Sequence, residues 1–288
     1  MLHQVTMTSA GPVDSARTDA SGRYRLRVPQ LDTAAQYLVS AMYMGVAYFS
    51  EPMRIRAPGT ARAGPIVVYD TVSSTKGPPI HLRRRLVTVA RVKRDGTRDV
   101  LEILELANPG SHTRIAADTL RPAWAGALPT GVLQFRIGEG DFSADAVERR
   151  GDSVAVFGPV PPGILRQLTY KYVLPADQTT LALPVDQPTD EVDLLLEDTT
   201  ARVVSFALEP LGVEAIEQHR FARYRAGPLA AGARVTVVLP RPDFQLQRQW
   251  WIIVVLAGAA FAWALVVALK RKPSAVGHQP SAISQRPS

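Results

Sequence analysis

Apolar and polar positions alternate in short runs along most of the chain, and one run near the C-terminus is apolar throughout. Alternation with period two places successive side chains on opposite faces and predicts half-buried β-strands. Gln167–Leu174 is the cleanest case, with Leu168, Tyr170, Tyr172 and Leu174 on one face and Gln167, Thr169 and Lys171 on the other. The same pattern predicts strands over Leu86–Lys93, Asp99–Leu106, Val132–Ile137, Val154–Phe157, Glu191–Leu196, Val203–Leu208, Phe221–Tyr224 and Arg234–Leu239. Asp95-Gly96 reads as a type I′ hairpin turn between the first two, and Asn108-Pro109-Gly110 as the next turn. Ala144–Arg149 and Val213–His219 carry the weak spacing of short helices. Strand follows strand with little helical periodicity, which predicts one large β-sandwich over 80–240, or two small Ig-like ones divided near 175–188.

The uninterrupted run is Trp250–Leu269, WWIIVVLAGAAFAWALVVAL, with no acid, base, amide or proline. As a helix it would span about 30 Å, the thickness of a bilayer's hydrocarbon core. Trp250 and Trp251 open it, where interfacial aromatics are expected, and Lys270, Arg271 and Lys272 close it. The expected element is a single membrane helix, with 270–288 as a basic, Pro- and Ser-rich cytoplasmic tail and the body outside. Gly258 and Ala262 form a small-xxx-small pair of the kind that can join helices into a homodimer, although alanine-rich spans carry such pairs by chance.

Near the N-terminus stands Thr18-Asp19-Ala20-Ser21-Gly22-Arg23-Tyr24. Asp19 to Gly22 predict a tight turn, and Tyr24, Leu26 and Val28 a strand leaving it. Gln36–Tyr43 and Val46–Phe49 predict a hairpin about Met44-Gly45, and Arg54–Arg56 and Ile66–Tyr69 supply further strands. The Thr18, Asp19, Gly22, Tyr24 pattern resembles the signature of carboxypeptidase regulatory-like domains, which are prealbumin-like β-sandwiches. The resemblance covers about residues 1–72 and implies an accessory β-domain, not a peptidase. Leu2–Met7 matches the second strand of such a domain, so a first strand is expected upstream of it. Whether an upstream signal peptide also exists, or Trp250–Leu269 alone targets the protein, stays open. Residues 73–79, SSTKGPP, read as a linker.

Charge refines this picture. The net charge is +7, but the bases are unevenly spread. Residues 1–79 hold 8 bases and 5 acids, 80–247 hold 20 and 21, and 248–288 hold 5 and 0. Most of the excess flanks the apolar run, where it sets orientation, and a nucleic-acid partner is not expected. Arginine makes up 28 of the 33 bases, as in proteins of GC-rich bacterial genomes. There is no cysteine, which excludes disulfides and thiol chemistry.

Candidate chemistry is sparse. His3, His81, His112, His219 and His278 are scattered, without H-x-x-E or H-E-x-x-H spacing, so no metal or other cofactor is expected. No G-x-S-x-G or P-loop is present, and no catalytic residues are assigned. Asp141, Asp145 and Glu148 can offer oxygens to calcium but lack the alternating loop pattern, which favours a solvated loop. Asp186, Asp190, Glu191 and Asp193 read as a turn followed by a charged strand edge. Arg83-Arg84-Arg85 can meet anionic lipid or polysaccharide, or guard a strand edge. Trp124, Phe135 and Tyr170 can stack on sugar, or fill the core. The reading is a mainly β, single-pass protein of the bacterial cell envelope that binds or scaffolds, with the bilayer and an envelope protein or polysaccharide as partners. An accessory subunit of a membrane transport, secretion or assembly complex is the alternative.

Overall fold

The computed structural model describes residues 1–205 and 207–240 of the chain. Met1–Arg241 form one compact unit. The apolar run Trp250–Leu269 and the bases Lys270, Arg271 and Lys272 lie outside the described residues. Among the described residues no helix is long and apolar enough to cross a membrane.

The described body is mainly β, in several sheets. Its first sheet has the order β2-β1-β3-β4, built from β1 (Leu2–Val5), β2 (Ala10–Asp14), β3 (Gln36–Tyr43) and β4 (Val46–Phe49). The hairpin from β3 to β4 follows the sequence pattern, with Met44 and Gly45 both at positive φ (47° and 78°) as a type I′ turn demands. Leu2, Ala35, Tyr37 and Val39 form a small buried cluster on this sheet. The segments expected as further strands cover that cluster without pairing. Leu26 and Val28 pack on it, but Tyr24 is exposed, and the Arg27 amide donates to the Asp14 side chain instead of to a ladder carbonyl. Met53 alone bridges to Tyr37, and Ile55 and Ile66 pack from irregular backbone. Pro29, Pro52, Pro58 and Pro65 punctuate these segments, and each lacks the amide a ladder needs.

The stretch read as a linker is built into the fold. β5 (Thr71–Ser73) runs parallel to Thr113–Ile115, and a turn follows it. Buried Arg114 donates from Nη1 to the Ser74 carbonyl (2.7 Å) and from Nη2 to the Pro78 carbonyl, so residues 74–78 wrap its guanidinium. Gly77 lies so close that a Cβ there would meet Nη2 at 2.7 Å.

Then come β6 (His81–Val89), β7 (Arg98–Ala107), β8 (Thr113–Ile115), β9 (Trp124–Ala127) and β10 (Leu133–Ile137). A single 3₁₀ turn, Ala144–Ala146, leads into β11 (Val147–Arg150), so the helix expected over 144–149 is half turn and half strand. β12 (Ser153–Val156), β13 (Arg166–Leu174), β14 (Thr180–Val185), β15 (Val192–Leu196), β16 (Arg202–Val203), β17 (Glu209–Ile216), β18 (His219–Ala226) and β19 (Ala233–Val238) complete the order. A seven-stranded sheet, β10-β13-β7-β6-β15-β18-β17, carries the body, beside two three-stranded sheets, β11-β12-β9 and β14-β19-β16. One hydrophobic cluster draws on all three, with Val87, Leu104, Leu168, Leu194, Val154, Leu181 and Val237 among its members. The stretch 175–188 contains β14, and strands from before and after it lie in the seven-stranded sheet.

Two local expectations are corrected. Val213–His219 is not a helix but parts of β17 and β18, reversed at Glu217-Gln218 with Glu217 at φ 54°. The three-residue spacing of Val213 and Ile216 mimics a helix turn, but the pairing with β18 takes both residues. Between β6 and β7, Gly96 has φ 85° while Asp95 does not enter the positive region. The Gly96 amide donates to Lys93 O and the Lys93 amide to Thr97 O, so this is a type I turn closed by a left-handed glycine, not type I′.

Gly77→Ala should force the Arg114 guanidinium out of its carbonyl cradle. A loss of about 1–3 kcal/mol is expected from thermal or urea unfolding, larger than for alanine at open Gly64.

Candidate functional site

The chemistry-bearing side chains gather on the two faces of β6 and its neighbours. β6 reads HLRRRLVTV, and alternation sends Arg84 to one face and Arg85 to the other. β6 lies between β7 and β15, so Arg83, Arg84 and Arg85 guard no edge. Each meets an acid of another strand or loop. Arg83 pairs with Asp190 (2.8 Å) and Arg84 with Asp193 (2.6 Å). Arg85 pairs with Glu102 of β7 (2.8 Å).

On the core face, Arg85 and Glu102 are 4% and 0% exposed. Glu102 Oε2 accepts from Arg85 Nε and from the Tyr170 hydroxyl (3.1 Å), and Oε1 accepts from the Tyr172 hydroxyl (2.8 Å). Arg85 Nη1 donates to the Pro184 carbonyl of β14 (2.6 Å), so the network joins two sheets. Burial opposes the charge on Arg85, and the adjacent Glu102 carboxylate outweighs it, raising the arginine above its usual range. Burial and the same carboxylate push both tyrosine hydroxyls well up, which keeps them as neutral donors.

On the opposite face, Asp193 sits beneath three arginines. Its side chain is 1% exposed, with Arg84 at 2.6 Å, Arg225 at 3.0 Å and Arg223 at 3.4 Å. Burial works to raise this carboxyl, but hydrogen bonds from Arg225 and Arg84 prevail and hold it at about 2. Glu191 and Glu214 balance the outer side, at 3.5 Å from Arg225 and 3.0 Å from Arg223. The acidic stretch is therefore not a strand edge. β15 is interior, parallel to β6 and antiparallel to β18, and all five of its residues are buried. Asp186 accepts from the Ala127 amide.

The other candidates separate. Trp124 is buried, donates to Gln187 Oε1 (2.8 Å) and lies over Gly126, where a Cβ would meet its ring. Phe135 and Tyr170 are neighbours, their rings 5.4 Å apart, but Trp124 belongs to another sheet. Burial of Trp124 and Tyr170 follows the core alternative. Asp141 accepts from the Gln167 amide and Glu148 pairs with Arg150. Asp145 lies in the 3₁₀ turn, where a hydrogen bond from Ser143 lowers its carboxyl. No group of three acids or histidines suited to a metal occurs among the described residues. Asp19 to Gly22 form a tight turn. Asp19 Oδ1 accepts from the Ser21 amide and hydroxyl and from the Arg23 amide, while the Gly22 amide donates to Asp19 O with Gly22 at φ 76°. Thr18 and Tyr24 are exposed beside it.

A shallow groove of about 380 Å³ opens beside β9, lined by Ile80, Arg114, Leu120, Arg121, Trp124 and Gln187 among others. Sequence reading missed it because its walls come from separate segments. Arg121 there is held by Asp118 (2.5 Å), and that hydrogen bond brings the Asp118 carboxyl down to about 2.

No family model and no curated protein matches the chain. Among solved structures, an M1 zinc metallopeptidase from Deinococcus radiodurans is similar at 12% identity, over 56% of this chain and 42% of that one, with a TM-score of 0.37. The mu-homology domain of yeast delta-COP-I complexed with a Dsl1 WxWxV peptide is similar at 10% identity, over 59% and 77%, with a TM-score of 0.17. The chain thus spans less than half of the peptidase structure, and likenesses this distant carry no argument about chemistry.

Glu102→Gln should leave Arg85 buried without its countercharge and destabilise by about 3–5 kcal/mol. The double change Arg85→Met, Glu102→Leu should recover only part of that loss in urea unfolding, because the buried Tyr170 and Tyr172 hydroxyls then lose their acceptor. Asp193 sets an acid limit. Its carboxyl is lowered in the fold, so its contribution is complete above the ordinary aspartate range near pH 4 and is lost as pH falls toward about 2. This contribution is about 2 kcal/mol, and Asp193→Asn should flatten the stability profile between about pH 4 and pH 2.

Proposed function

We propose that the protein is a single-pass membrane protein of the bacterial envelope whose β body lies outside and serves binding or scaffolding. In this reading its N-terminal part is a carboxypeptidase regulatory-like β-sandwich, and an Ig-like sandwich region follows. The observation that carries the reading is the twenty-residue apolar run closed by Lys270, Arg271 and Lys272, with no acid after it. Two features of the body agree with a binding role. Its deeply buried acids, Glu102 and Asp193, are committed to arginines, so neither is free for proton transfer. Its groove is shallow and is lined by arginines and apolar side chains.

Fractionation tests the placement. The full chain with a C-terminal tag should stay in the membrane pellet through alkaline carbonate. Protease added outside intact spheroplasts should remove the body and spare the tag. Release by carbonate, or loss of the tag before lysis, would overturn the proposal. Deleting residues 250–269 should free the body.

A further inference from the structure

We infer that Arg23, Arg25, Arg27, Arg54 and Arg56 form a basic docking face for an anionic polysaccharide. The inference deepens the proposed envelope role and rests on it for the source of the ligand. The two segments that cover the N-terminal cluster share one pattern. Leu26 and Val28 pack on the cluster from the first, and Met53 and Ile55 from the second. The arginines take the intervening positions, and all five are exposed. Period two therefore does here what it does in a paired strand, apolar side down and guanidinium side up, with no ladder present.

These cations are not consumed by the fold. Elsewhere in the body arginines meet carboxylates, as Arg84, Arg85, Arg223 and Arg225 do. None of these five forms an ion pair with another described residue. Arg27 is the exception among them, since Asp14, engaged by the Arg27 amide, also feels the Arg27 charge, so the face rests on the other four. From residue 15 to residue 66 there are seven bases against three acids, and every base is arginine. Unpaired guanidinium groups on one small unit attract an anion at long range, and their planar forks suit carboxylates.

Three features favour a linear polyanion of sugars. The arginine at every second position of both segments matches a ligand that repeats its own charge. Tyr24 is the sole aromatic among residues 23–28 and 53–56, whereas single-stranded nucleic acid calls for several stacking platforms. In the proposed orientation the face lies away from the anionic cytoplasmic leaflet, where polybasic segments meet lipid.

The test titrates the full chain, in nanodiscs of zwitterionic lipid, with polygalacturonate and with its uncharged methyl ester. The acid polymer should bind and the ester should not. The set Arg23→Gln, Arg25→Gln, Arg54→Gln, Arg56→Gln should weaken binding about tenfold or more. A control set of equal charge, Lys76→Gln, Arg202→Gln, Arg220→Gln, Arg234→Gln, should weaken it less than about twofold. Unchanged melting temperatures in both sets exclude misfolding as the cause. Equal losses in the two sets would overturn the inference, as would equal binding of the ester. Tighter binding to phosphatidylglycerol vesicles or to a single-stranded oligonucleotide would overturn it as well. Polymer binding by a protein that carbonate extracts would sink the membrane reading and leave this face standing; a membrane-held protein without polymer binding would do the reverse.

Discussion

The buried pair of Arg85 and Glu102 is the constraint around which the large sheet is arranged. A guanidinium placed inside a β core is costly unless acceptors surround it, and a carboxylate is the strongest of them. Here that requirement ties four strands together. β6 supplies the cation, β7 the anion, β13 two tyrosine donors and β14 a carbonyl. A one-residue slip of β6 against β7 would turn Arg85 to the outer face and bring Arg84 into the core, away from Glu102. The pair is therefore weak evidence for stability and better evidence for register.

The outer face of the same sheet repeats the logic in water. Asp193 would be an unpaired buried acid if Arg84, Arg223 and Arg225 did not close over it. Those arginines come from β6 and β18, the two strands flanking β15. The parallel alignment of β15 on β6 is thus marked by charge on one face and by Val87 and Leu194 on the other. A parallel pair between strands more than a hundred residues apart has no hairpin to align it, so side-chain complementarity carries that task.

Sequence showed what is buried more readily than what pairs. β13 and the β3–β4 hairpin were legible because alternation and a Met-Gly turn are local signals. Residues 23–28 and 53–56 alternate just as clearly, yet prolines around them and a side-chain acceptor at Asp14 leave them unpaired. Val213 and Ile216 are spaced as on a helix, and only contact with β18 decides otherwise. The three arginines 83–85 and the acids 190–193 are each conspicuous in sequence. Their relation was not legible, because charge complementarity across that separation has no local trace. Edge and interior strands share a composition when interior charges are paired, which is why both stretches read as edges. The groove beside β9 escaped notice for a similar reason, since its residues converge only through the fold.

The wrapping of Arg114 bears on how the N-terminal sheet works. A Gly-Pro segment such as SSTKGPP would be a free tether if nothing held it. Instead its carbonyls at Ser74 and Pro78 surround a buried guanidinium, β5 pairs with β8, and the Tyr48 hydroxyl meets buried Thr113 at 2.7 Å. Each contact joins the N-terminal segment to residues beyond 110, and each removes freedom from the segment between them. Arginine is used in opposite ways along this chain: at Arg85 and Arg114 it is spent inside the fold to fix strands and loops, whereas on residues 23–56 it stands outside it. A side chain with five donors can do either, and burial decides which. Inside, a guanidinium must be satisfied by the protein, so it organises structure. Outside and unpaired, it leaves its field for whatever anion approaches.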